Sequence, residues 1–384
     1  MNKITNDLYY VGAFDADLDL FESQYPVPFG VSYNSYILKD EKIAIFDTID
    51  KRKGTEWLNQ VKEVLGTDTP DYLIVQHMEP DHSANIETIC NLYPTMKIIG
   101  NKRTFPMISN FTNLDLTNRT IDVDETTVLS LGKHELHFVF APMVHWPEVM
   151  VTYDSTTGTL FSADAFGRFG SLDEDDDPLF DEAARYYLNI VGKYGMQVTA
   201  LLNKAAKLDI KMICPLHGPV LTNKIAAYVD KYRVWSSYNP EFPDKVTVAY
   251  ASIHGNTKNA ANILIDALGD LAVPFDLTRC DLSAAVASAF RTGKLVLMCP
   301  TYDAGIFTPM KNYLARLNAK GLNSRKVAIV ENGSWAPSAG KLMHAEMEAL
   351  KNMTICEPML SIRSSVKDAD RQNLINLAET IKSL

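Results

Sequence analysis

The sequence predicts an α/β protein of two domains, the first a sandwich of two sheets flanked by helices and the second a doubly wound parallel sheet. The chain has 384 residues, which exceeds one domain of ordinary size. Buried-strand patterns dominate its first part. After a turn-rich linker, strand and helix patterns alternate regularly, which is typical of a parallel sheet covered by helices.

The composition narrows the classes of partner. Hydrophobic residues make up 46% of the chain and charged residues 22%, as in ordinary globular proteins. The net charge of -10 argues against binding to nucleic acid or to an anionic membrane. The polar start lacks the apolar core of a signal peptide, and no apolar run could span a bilayer. We therefore expect a cytoplasmic protein that binds neither nucleic acid nor membrane.

The cysteines point to a reducing compartment. The chain has five of them, scattered and without a CxxC pair: Cys90, Cys214, Cys280, Cys299 and Cys356. We expect small core residues rather than disulfides. Without clustered cysteines, no built-in rubredoxin or iron–sulfur module is expected.

The first part of the chain carries the strand patterns of the predicted sandwich. Candidate strands are Ile43–Asp47, Tyr72–Val75, Lys97–Gly100 and Leu136–Phe140. The segment Thr55–Leu65 has helical spacing of its large apolar residues, and the segment 179–208 is typical of two helices. This mixture predicts sheet-on-sheet packing with helices outside.

A dense group of polar side chains directly follows the second candidate strand. The stretch His77-Met78-Glu79-Pro80-Asp81-His82 places two imidazoles and two carboxylates within one turn. Imidazole suits iron, zinc and copper, whereas carboxylate favours harder ions. The turn could serve two adjacent metal ions, with His77 and Glu79 on one and Asp81 and His82 on the other. The alternative is a polar turn without a ligand.

Three further candidate ligands stand at expected strand ends. His145 follows Phe138–Val144, Asp164 follows Thr159–Ala163, and His217 follows Lys211–Leu216. Each taken alone is more often a structural residue than a ligand. Taken with the six-residue group, they give two sets of three ligands and one bridging carboxylate. We assign His145 to the first metal, His217 to the second and Asp164 to the bridge.

The remaining histidines and the acidic run are expected to have no role in metal binding. His134 and His137 lie around a predicted strand and are expected at the surface or at a sheet edge. His344 lies in a predicted helix without ligand-like neighbours. The run Asp173–Asp177 is expected to be a solvated loop ahead of a helix that opens near Pro178, since acids favour a helix N-terminus.

The segment Trp235–Asp244 is rich in turn-forming residues and contains two prolines, as is typical of a linker between domains. It predicts domains at residues 1–243 and 244–384. Strands are predicted after it at Val246–Ala251, Phe275–Thr278, Leu295–Cys299, Val327–Val330 and Met359–Ile362. Helices are predicted at 258–268, 283–291, 309–319, 338–351 and 367–383. Successive strand–helix units predict a doubly wound parallel sheet.

Three loops in the second domain are candidates for binding a phosphorylated ligand. The first, Ser252–Thr257, combines small hydroxyl residues and a glycine ahead of a helix, where backbone N–H groups can surround an anion. It lacks GxGxxG and GxxxxGK[ST], which argues against dinucleotides and nucleoside triphosphates and favours a monophosphate. The others, Pro300–Gly305 and Glu331–Trp335, also follow strands, where open α/β sheets bind ligands.

Tyr302 and Trp335 offer flat surfaces for an isoalloxazine ring. The alternative is that these loops are only polar turns, which are common in this fold. The candidate flavin-binding residues are Ser252, His254, Gly255, Asn256, Thr257, Pro300, Thr301, Tyr302, Asp303, Asn332, Gly333, Ser334 and Trp335.

These patterns together resemble a known family. The order of the seven candidate ligands resembles that of the metal ligands in metallo-β-lactamase-like domains, which fold as αββα sandwiches. Glu79 stands where zinc hydrolases of that fold usually carry His. The three loops resemble those of flavodoxin. The combination, together with the segment Gly30–Tyr36, resembles the flavodiiron proteins over essentially the whole chain, in their simplest architecture.

The resemblance implies an enzyme with FMN and two iron ions that reduces O2 to water, NO to N2O, or both. It implies electrons from rubredoxin or a rubredoxin reductase, passed on by FMN, and a head-to-tail homodimer or a tetramer. The chain departs from many members at Glu22, which follows Phe21 where they carry a non-ligating His. This leaves proton delivery and the choice of gas open.

Two other functions remain as hypotheses. A zinc hydrolase with an accessory flavodoxin-like domain would use two zinc ions to generate hydroxide. Glu79 argues against it, because zinc sites favour His and Cys. A non-catalytic electron carrier with a vestigial metal site is disfavoured by the complete ligand set. The colour and metal content of the purified protein discriminate among the three.

Overall fold

The computed structural model describes residues 2–384, and it divides into two compact units. The first unit extends to Arg233 and the second covers Val234–Leu384. The division falls within a helix at Ile225–Ser236, upstream of the boundary predicted at residue 243.

Short strands form most of the first unit. They are β1 (Asn2–Lys3), β2 (Leu8–Tyr10), β3 (Ala13–Asp15), β4 (Leu20–Phe21), β5 (Tyr25–Pro26), β6 (Val31–Tyr33), β7 (Tyr36–Lys39), β8 (Ile43–Phe46), β9 (Tyr72–Ile74), β10 (Lys97–Gly100), β11 (Thr120–Asp122), β12 (Val128–Ser130), β13 (Glu135–Phe140), β14 (Met150–Asp154), β15 (Thr159–Phe161) and β16 (Met212–Cys214). The four strands predicted in this part correspond to β8, β9, β10 and β13.

Helices connect these strands and cover the sheets. They are α1 (Gly54–Leu65), α2 (Pro80–Ser83), α3 (Ile86–Leu92), α4 (Thr104–Phe111), α5 (Asp181–Tyr186), α6 (Gly195–Ala205) and α7 (Ile225–Ser236). A π-helical turn at Tyr187–Val191 and a 3-10 turn at Gly192–Tyr194 join α5 to α6. Another 3-10 turn, Lys51–Lys53, leads into α1.

Two sheets pack face to face in the first unit. One has the strand order β1-β2-β7-β8-β9-β10-β11 and the other β12-β13-β14-β15-β16. Alternate residues such as Ala44 and Phe46 in β8, and Leu136 and Phe138 in β13, enter one shared core. The Phe46 ring stacks on Phe161 of the opposite sheet with centroids 3.7 Å apart. The predicted sandwich is confirmed.

This arrangement brings several strand ends to one end of the sandwich. β8, β9 and β10 run parallel to one another, and β15 runs parallel to β16. The N–H of Met150, at the start of β14, donates to the carbonyl of Gln76 just beyond β9. The segments after β9, β15 and β16 and the one before β14 therefore meet at this end.

The second unit alternates strands and helices as predicted. Its strands are β17 (Phe242–Tyr250), β18 (Ala272–Asp276), β19 (Thr292–Tyr302), β20 (Gly305–Ile306), β21 (Lys326–Asn332), β22 (Thr354–Ile355) and β23 (Leu360–Ile362). Its helices are α8 (Asn256–Leu268), α9 (Leu282–Arg291), α10 (Thr308–Lys320), α11 (Ala339–Glu348) and α12 (Asp368–Ser383), with a 3-10 turn at Gly269–Leu271.

The sheet of the second unit is parallel along the order β18-β17-β19-β21, and β22 and β23 both pair in parallel with β21. The strand predicted at Phe275–Thr278 instead begins at Ala272 and includes Pro274. Proline is tolerated there because β18 is an edge strand, where one N–H group needs no ladder partner. The short strand β20, absent from the prediction, folds back antiparallel on the end of β19.

Among the helices of residues 2–384, none combines the length and the apolar character needed to cross a membrane.

Candidate functional site

The seven candidate metal ligands meet in two adjacent groups at the end of the sandwich. The first group contains His77, Glu79, His145 and Asp164, and the second contains Asp81, His82 and His217. Within each group, one ligand atom per residue lies within 4.8 Å of the others. The assignment made from the sequence divides the other six residues in the same way but shares Asp164 between the two sets, and the binding of metal by these residues stays a prediction.

The turn after β9 separates its four side chains between the two groups. His77 lies in the extended segment that leaves the strand, and Glu79 precedes the first residue of α2. Pro80 occupies that first position, where its fixed φ favours a helix start and its missing N–H needs no partner. The short helix then carries Asp81 and His82 to the second group.

The first group has the spacing of ligands around one ion. Nε2 of His145 lies 3.0 Å from Oε2 of Glu79 and 3.0 Å from Oδ2 of Asp164. Nε2 of His77 lies 3.3 Å from each of the same two oxygens. Metal–ligand bonds of about 2.1 Å at right angles place neighbouring ligand atoms about 3.0 Å apart.

The second group has the same spacing and uses the other oxygen of Asp164. Nε2 of His82 lies 3.0 Å from Nε2 of His217, 3.3 Å from Oδ2 of Asp81 and 3.2 Å from Oδ1 of Asp164. Nε2 of His217 lies 3.2 Å from Oδ2 of Asp81. Asp164 thus presents one oxygen to each group, as expected of a bridging carboxylate.

The chemistry of these atoms fits a pair of cations. Both carboxylate oxygens of Asp81 and Oδ1 of Asp164 are buried and accept no well-aligned hydrogen bond in the described structure, although imidazole nitrogens lie 3.2 to 3.3 Å from Oδ2 of Asp81 and Oδ1 of Asp164. Buried carboxylates normally have donors or bound cations as partners. Four imidazoles and three carboxylates suit iron at least as well as zinc.

The same charges shift the pKa values of the site. Burial lowers the pKa of His82, but Asp81 and Asp164 outweigh it and raise the pKa to about 10. Burial also lowers the pKa of His145, which Asp164 and Glu79 raise to about 9. The carboxylate field therefore attracts positive charge to this cavity.

Several residues that the sequence reasoning did not identify form hydrogen bonds to the candidate ligands on the side away from the two groups. Nδ1 of His77 lies 3.0 Å from Oε1 of Glu148, and Nδ1 of His217 lies 2.6 Å from the carbonyl oxygen of Ser32. Asp47, buried just after β8, accepts hydrogen bonds from the backbone N–H groups of Gln76 and His77. Asp47 follows β8 and Glu148 precedes β14, so both lie at strand ends as the candidate ligands do. Both are far in sequence from the motif His77–His82.

The segment Gly30–Tyr36, which carried part of the resemblance, supports the turn around His217. The Ser32 hydroxyl accepts the N–H of Gly218 at 2.7 Å. The amide of Asn34 donates to the carbonyls of Pro215 and Gly218, both at 2.8 Å. These bonds fix the backbone on both sides of the imidazole.

Aromatic side chains surround the ligands and limit the access of water. Phe21, Tyr33 and Tyr186 pack around the His217 ring with centroids 5.3, 5.9 and 5.5 Å away. Trp146 packs edge-on against His77 at 5.4 Å. Glu22 follows Phe21 and is exposed, but partial desolvation of its carboxyl group and the negative charge of Glu79 raise its pKa.

Some expectations for the other polar residues were wrong. His134 is buried rather than at the surface, because its Nδ1 pairs with the buried Asp154 at 2.8 Å. The acidic run agrees with the expectation of a solvated loop ahead of a helix: Asp173, Asp175 and Asp176 are exposed, and Asp177 accepts the N–H groups of Asp181 and Ala183 at the start of α5. Glu174 differs, because it accepts the N–H groups of Asn223 and Lys224. The run forms no metal-binding group within residues 2–384.

The three candidate flavin loops lie together at the carboxyl ends of the strands in the second unit, which form one edge of its sheet. β17, β19 and β21 are parallel neighbours, so the loops that follow their carboxyl ends share that edge. After β17 the chain forms β18 on one side and then crosses to β19 on the other. Ligands bind at such a switch of direction in open α/β sheets.

The loops differ in how many of their residues are fixed by hydrogen bonds within the fold. Gly255 adopts a φ of 89° before α8, a conformation that favours glycine. The Thr301 hydroxyl accepts the N–H groups of Ser338 and Ala339 at the start of α11. Asn332 is buried and exchanges two hydrogen bonds with the backbone of Ser364, in a fourth loop at this edge that the sequence reasoning missed.

The two aromatic residues predicted to contact a flavin are open to solvent. Trp335 is 81% exposed and Tyr302 is 48% exposed, although both are large apolar side chains. The neighbouring Ile253 in the first loop is also exposed. Exposed apolar surface beside a loop rich in N–H donors is a common feature of binding sites for planar ligands.

Comparisons with known proteins agree with this architecture. A family described as ODP family beta lactamase matches residues 31–218. A nitric oxide reductase from Moorella thermoacetica is 29% identical over 98% of this chain and 97% of that protein. A diflavin flavoprotein from Nostoc sp. is 27% identical over 98% of this chain, which spans 65% of that longer protein.

Solved structures share the fold of the whole chain. Rubredoxin oxygen:oxidoreductase from Desulfovibrio gigas has a TM-score of 0.93 and 24% identity, covering 100% of this chain and 98% of that one. The flavodiiron protein from Giardia intestinalis also has a TM-score of 0.93, with 22% identity, covering 100% and 96%. The chain is thus similar in sequence, over nearly its whole length, to a nitric oxide reductase, and it shares its two-domain fold with flavodiiron proteins.

Proposed function

We propose that this chain is an oxidoreductase that reduces O2 to water, NO to N2O, or both, using FMN and two iron ions. The observation that carries the proposal is the position of Asp164, whose two carboxylate oxygens face two separate ligand groups. The names of its relatives, among them a nitric oxide reductase and a rubredoxin oxygen:oxidoreductase, support the same chemistry.

The proposed irons would be held by the seven residues described above. His77, Glu79 and His145 would bind one ion, Asp81, His82 and His217 the other, and Asp164 both. Two such ions would store electrons and offer open coordination positions to a small gas. The chain's own contribution is to fix the ligand atoms, to surround them with aromatic side chains and to keep carboxylate charge at the centre.

We propose FMN at the loop edge of the second unit. Ser252 and residues 254–257 would surround the phosphate, because backbone N–H groups at the start of α8 favour an anion. Tyr302 and Trp335 would contact the ring. A rubredoxin-type protein would supply electrons, as the name of the Desulfovibrio gigas protein indicates for that enzyme. A cytoplasmic location agrees with five cysteines that form no disulfide.

The function is tested on purified protein reconstituted with ferrous iron and FMN. We expect a yellow protein with two irons per chain that, once reduced, consumes O2 or NO in anaerobic stopped-flow mixing. The ratio of the rates with the two gases would determine the preferred substrate. A colourless protein that retains zinc and hydrolyses esters or amides would instead support the hydrolase hypothesis, and a yellow protein without metal the electron carrier.

Asp164→Ala is expected to lose one or both irons while keeping FMN. Without the shared carboxylate, the two cations lose a common ligand and repel each other more strongly. Elemental analysis and the flavin absorbance measure the two contents. Asp154→Ala, which removes a buried carboxylate outside the site, should keep its iron; full iron occupancy in Asp164→Ala would exclude the bridging role.

Trp335→Ala is expected to weaken FMN binding and leave the iron content unchanged. The lost ring contact should cost on the order of 1 kcal/mol, or about fivefold in Kd. Fluorescence titration of the FMN-free protein measures this change. Phe111→Ala, which removes an exposed aromatic residue of the first unit, is the control. An unaltered Kd in Trp335→Ala would mean that this indole does not contact the flavin.

We further propose that the working unit is a head-to-tail homodimer, which could pair again into a tetramer. Electron tunnelling falls steeply with distance, so a flavin and a metal pair must approach closely. A two-fold pairing creates the same contact twice.

Mixing two inactive variants tests this arrangement. One is His82→Ala, which damages the metal group, and the other combines Asn256→Ala with Thr257→Ala in the flavin loop. A mixed dimer contains one intact flavin site opposite one intact metal site, so part of the activity should return. Each variant alone is the control. If mixed dimers form, as shown by two affinity tags, and activity stays absent, the transfer does not occur between chains.

A further inference from the structure

The imidazoles of the two groups differ in the hydrogen-bond partner of Nδ1, the ring nitrogen that faces away from the candidate metal position. Nδ1 of His77 lies 3.0 Å from a carboxylate oxygen of Glu148. Nδ1 of His217 lies 2.6 Å from the neutral carbonyl oxygen of Ser32. Nδ1 of His82 is buried and has no partner in the described structure. The first group therefore contains an imidazole bonded to a full negative charge, whereas these two imidazoles of the second do not.

Glu148 is anchored in this role through Oε1, whereas its Oε2 is buried without a hydrogen-bond partner in the described structure. It is 1% exposed, and its Oε1 also accepts the backbone N–H of Met78 at 2.7 Å. Its own carbonyl oxygen accepts the side-chain amide of Asn101 at 2.5 Å. With Oε1 shared by two donors, the carboxylate fixes the tilt of the His77 ring. It also keeps the proton on Nδ1, so that the lone pair of Nε2 faces Glu79 and Asp164.

Other charges around the two groups are more evenly divided. Each group has one carboxylate of its own, Glu79 or Asp81, and shares Asp164. Outside the ligand set, Glu22 acts electrostatically on Glu79, and Asp50 acts on Asp81. Asp47 bonds to backbone N–H groups and to the side-chain amide of Gln76, and it acts on His82 only electrostatically. Among residues 2–384, Glu148 is therefore the carboxylate outside the two groups that lies within hydrogen-bonding distance of one of their imidazoles.

We propose that Glu148 is a positioning residue for His77 and makes the two metal positions unequal, so that the ion on the His77 side is bound more tightly and is oxidised first. A carboxylate bonded to the far N–H strengthens an imidazole as a donor to a metal. In a buried, weakly screened site its charge also favours the more highly charged oxidation state. This inference rests on the proposed function in that it requires iron in both positions.

The test uses the full-length protein loaded with ⁵⁷Fe and FMN, as wild type, Glu148→Gln and Glu148→Ala. Glutamine retains an acceptor oxygen and removes the charge, whereas alanine removes both. Asp154→Asn is the matched control, because Asp154 is another buried carboxylate bonded to an imidazole, that of His134, outside the site.

Mössbauer spectra of the reduced protein should contain two iron components of equal area. In Glu148→Gln we expect one component to shift and the other to stay. Release of iron to a chelator should be biphasic in the wild type, and the slow phase should become about 10- to 100-fold faster in Glu148→Gln, as for other supports of metal-binding histidines. Alanine should increase both effects, and Asp154→Asn should show neither.

The wild type alone provides a second measurement that does not depend on a variant folding. Ferricyanide, added in one-electron steps to the reduced protein, should oxidise one component before the other while it is itself reduced to ferrocyanide. Simultaneous oxidation of both components would overturn the proposal. So would equal shifts of both components in Glu148→Gln, no shift in either, or the same shift in Asp154→Asn.

None of these measurements requires turnover of a gas. If the asymmetry is observed and neither O2 nor NO is reduced, the proposed function is wrong and the role of Glu148 stands. A protein that binds no iron would overturn both.

Discussion

The carboxylate of Asp164 is the constraint on which the rest of the site depends. It is buried, and its two oxygens lie 3.0 to 3.3 Å from imidazole nitrogens of His77, His82 and His145, which come from two separate parts of the chain. A buried carboxylate is stable only with compensating positive charge or donors. The sandwich meets this need by ending β9, β15 and β16 at the same place, so that the residues after them converge on one carboxylate.

Binding of a cation at this point would be coupled to the local structure. The carboxylates raise the pKa values of the surrounding imidazoles, so that without a cation protons take up part of the negative field. A bound cation would replace those protons and would be a partner for the buried oxygens that lack a well-aligned donor. The residues bonded to Nδ1 of these imidazoles fix the orientation of the rings. For His77 that partner is the carboxylate of Glu148, and for His217 it is the neutral carbonyl oxygen of Ser32.

The second unit divides its polar residues between architecture and recognition. Thr301 stabilises the start of α11 and Asn332 ties down the loop after β23, so both are engaged within the fold. Tyr302 and Trp335 next to them remain exposed. Rigid polar residues with open aromatic neighbours are suited to hold a planar ligand, because the loops lose little freedom when the ligand binds.

The sequence by itself determined the two-domain α/β class, most strands, and the candidate metal ligands that the structure brings into two groups. These features depend on local patterns: alternating apolar residues, a dense His and carboxylate motif, and turn residues after strands. Only the tertiary structure decided which oxygen of Asp164 faces which group, that Glu148 supports His77, and that His134 is buried against Asp154. Those contacts join residues far apart in sequence, and the packing of two sheets, rather than any local pattern, brings them together.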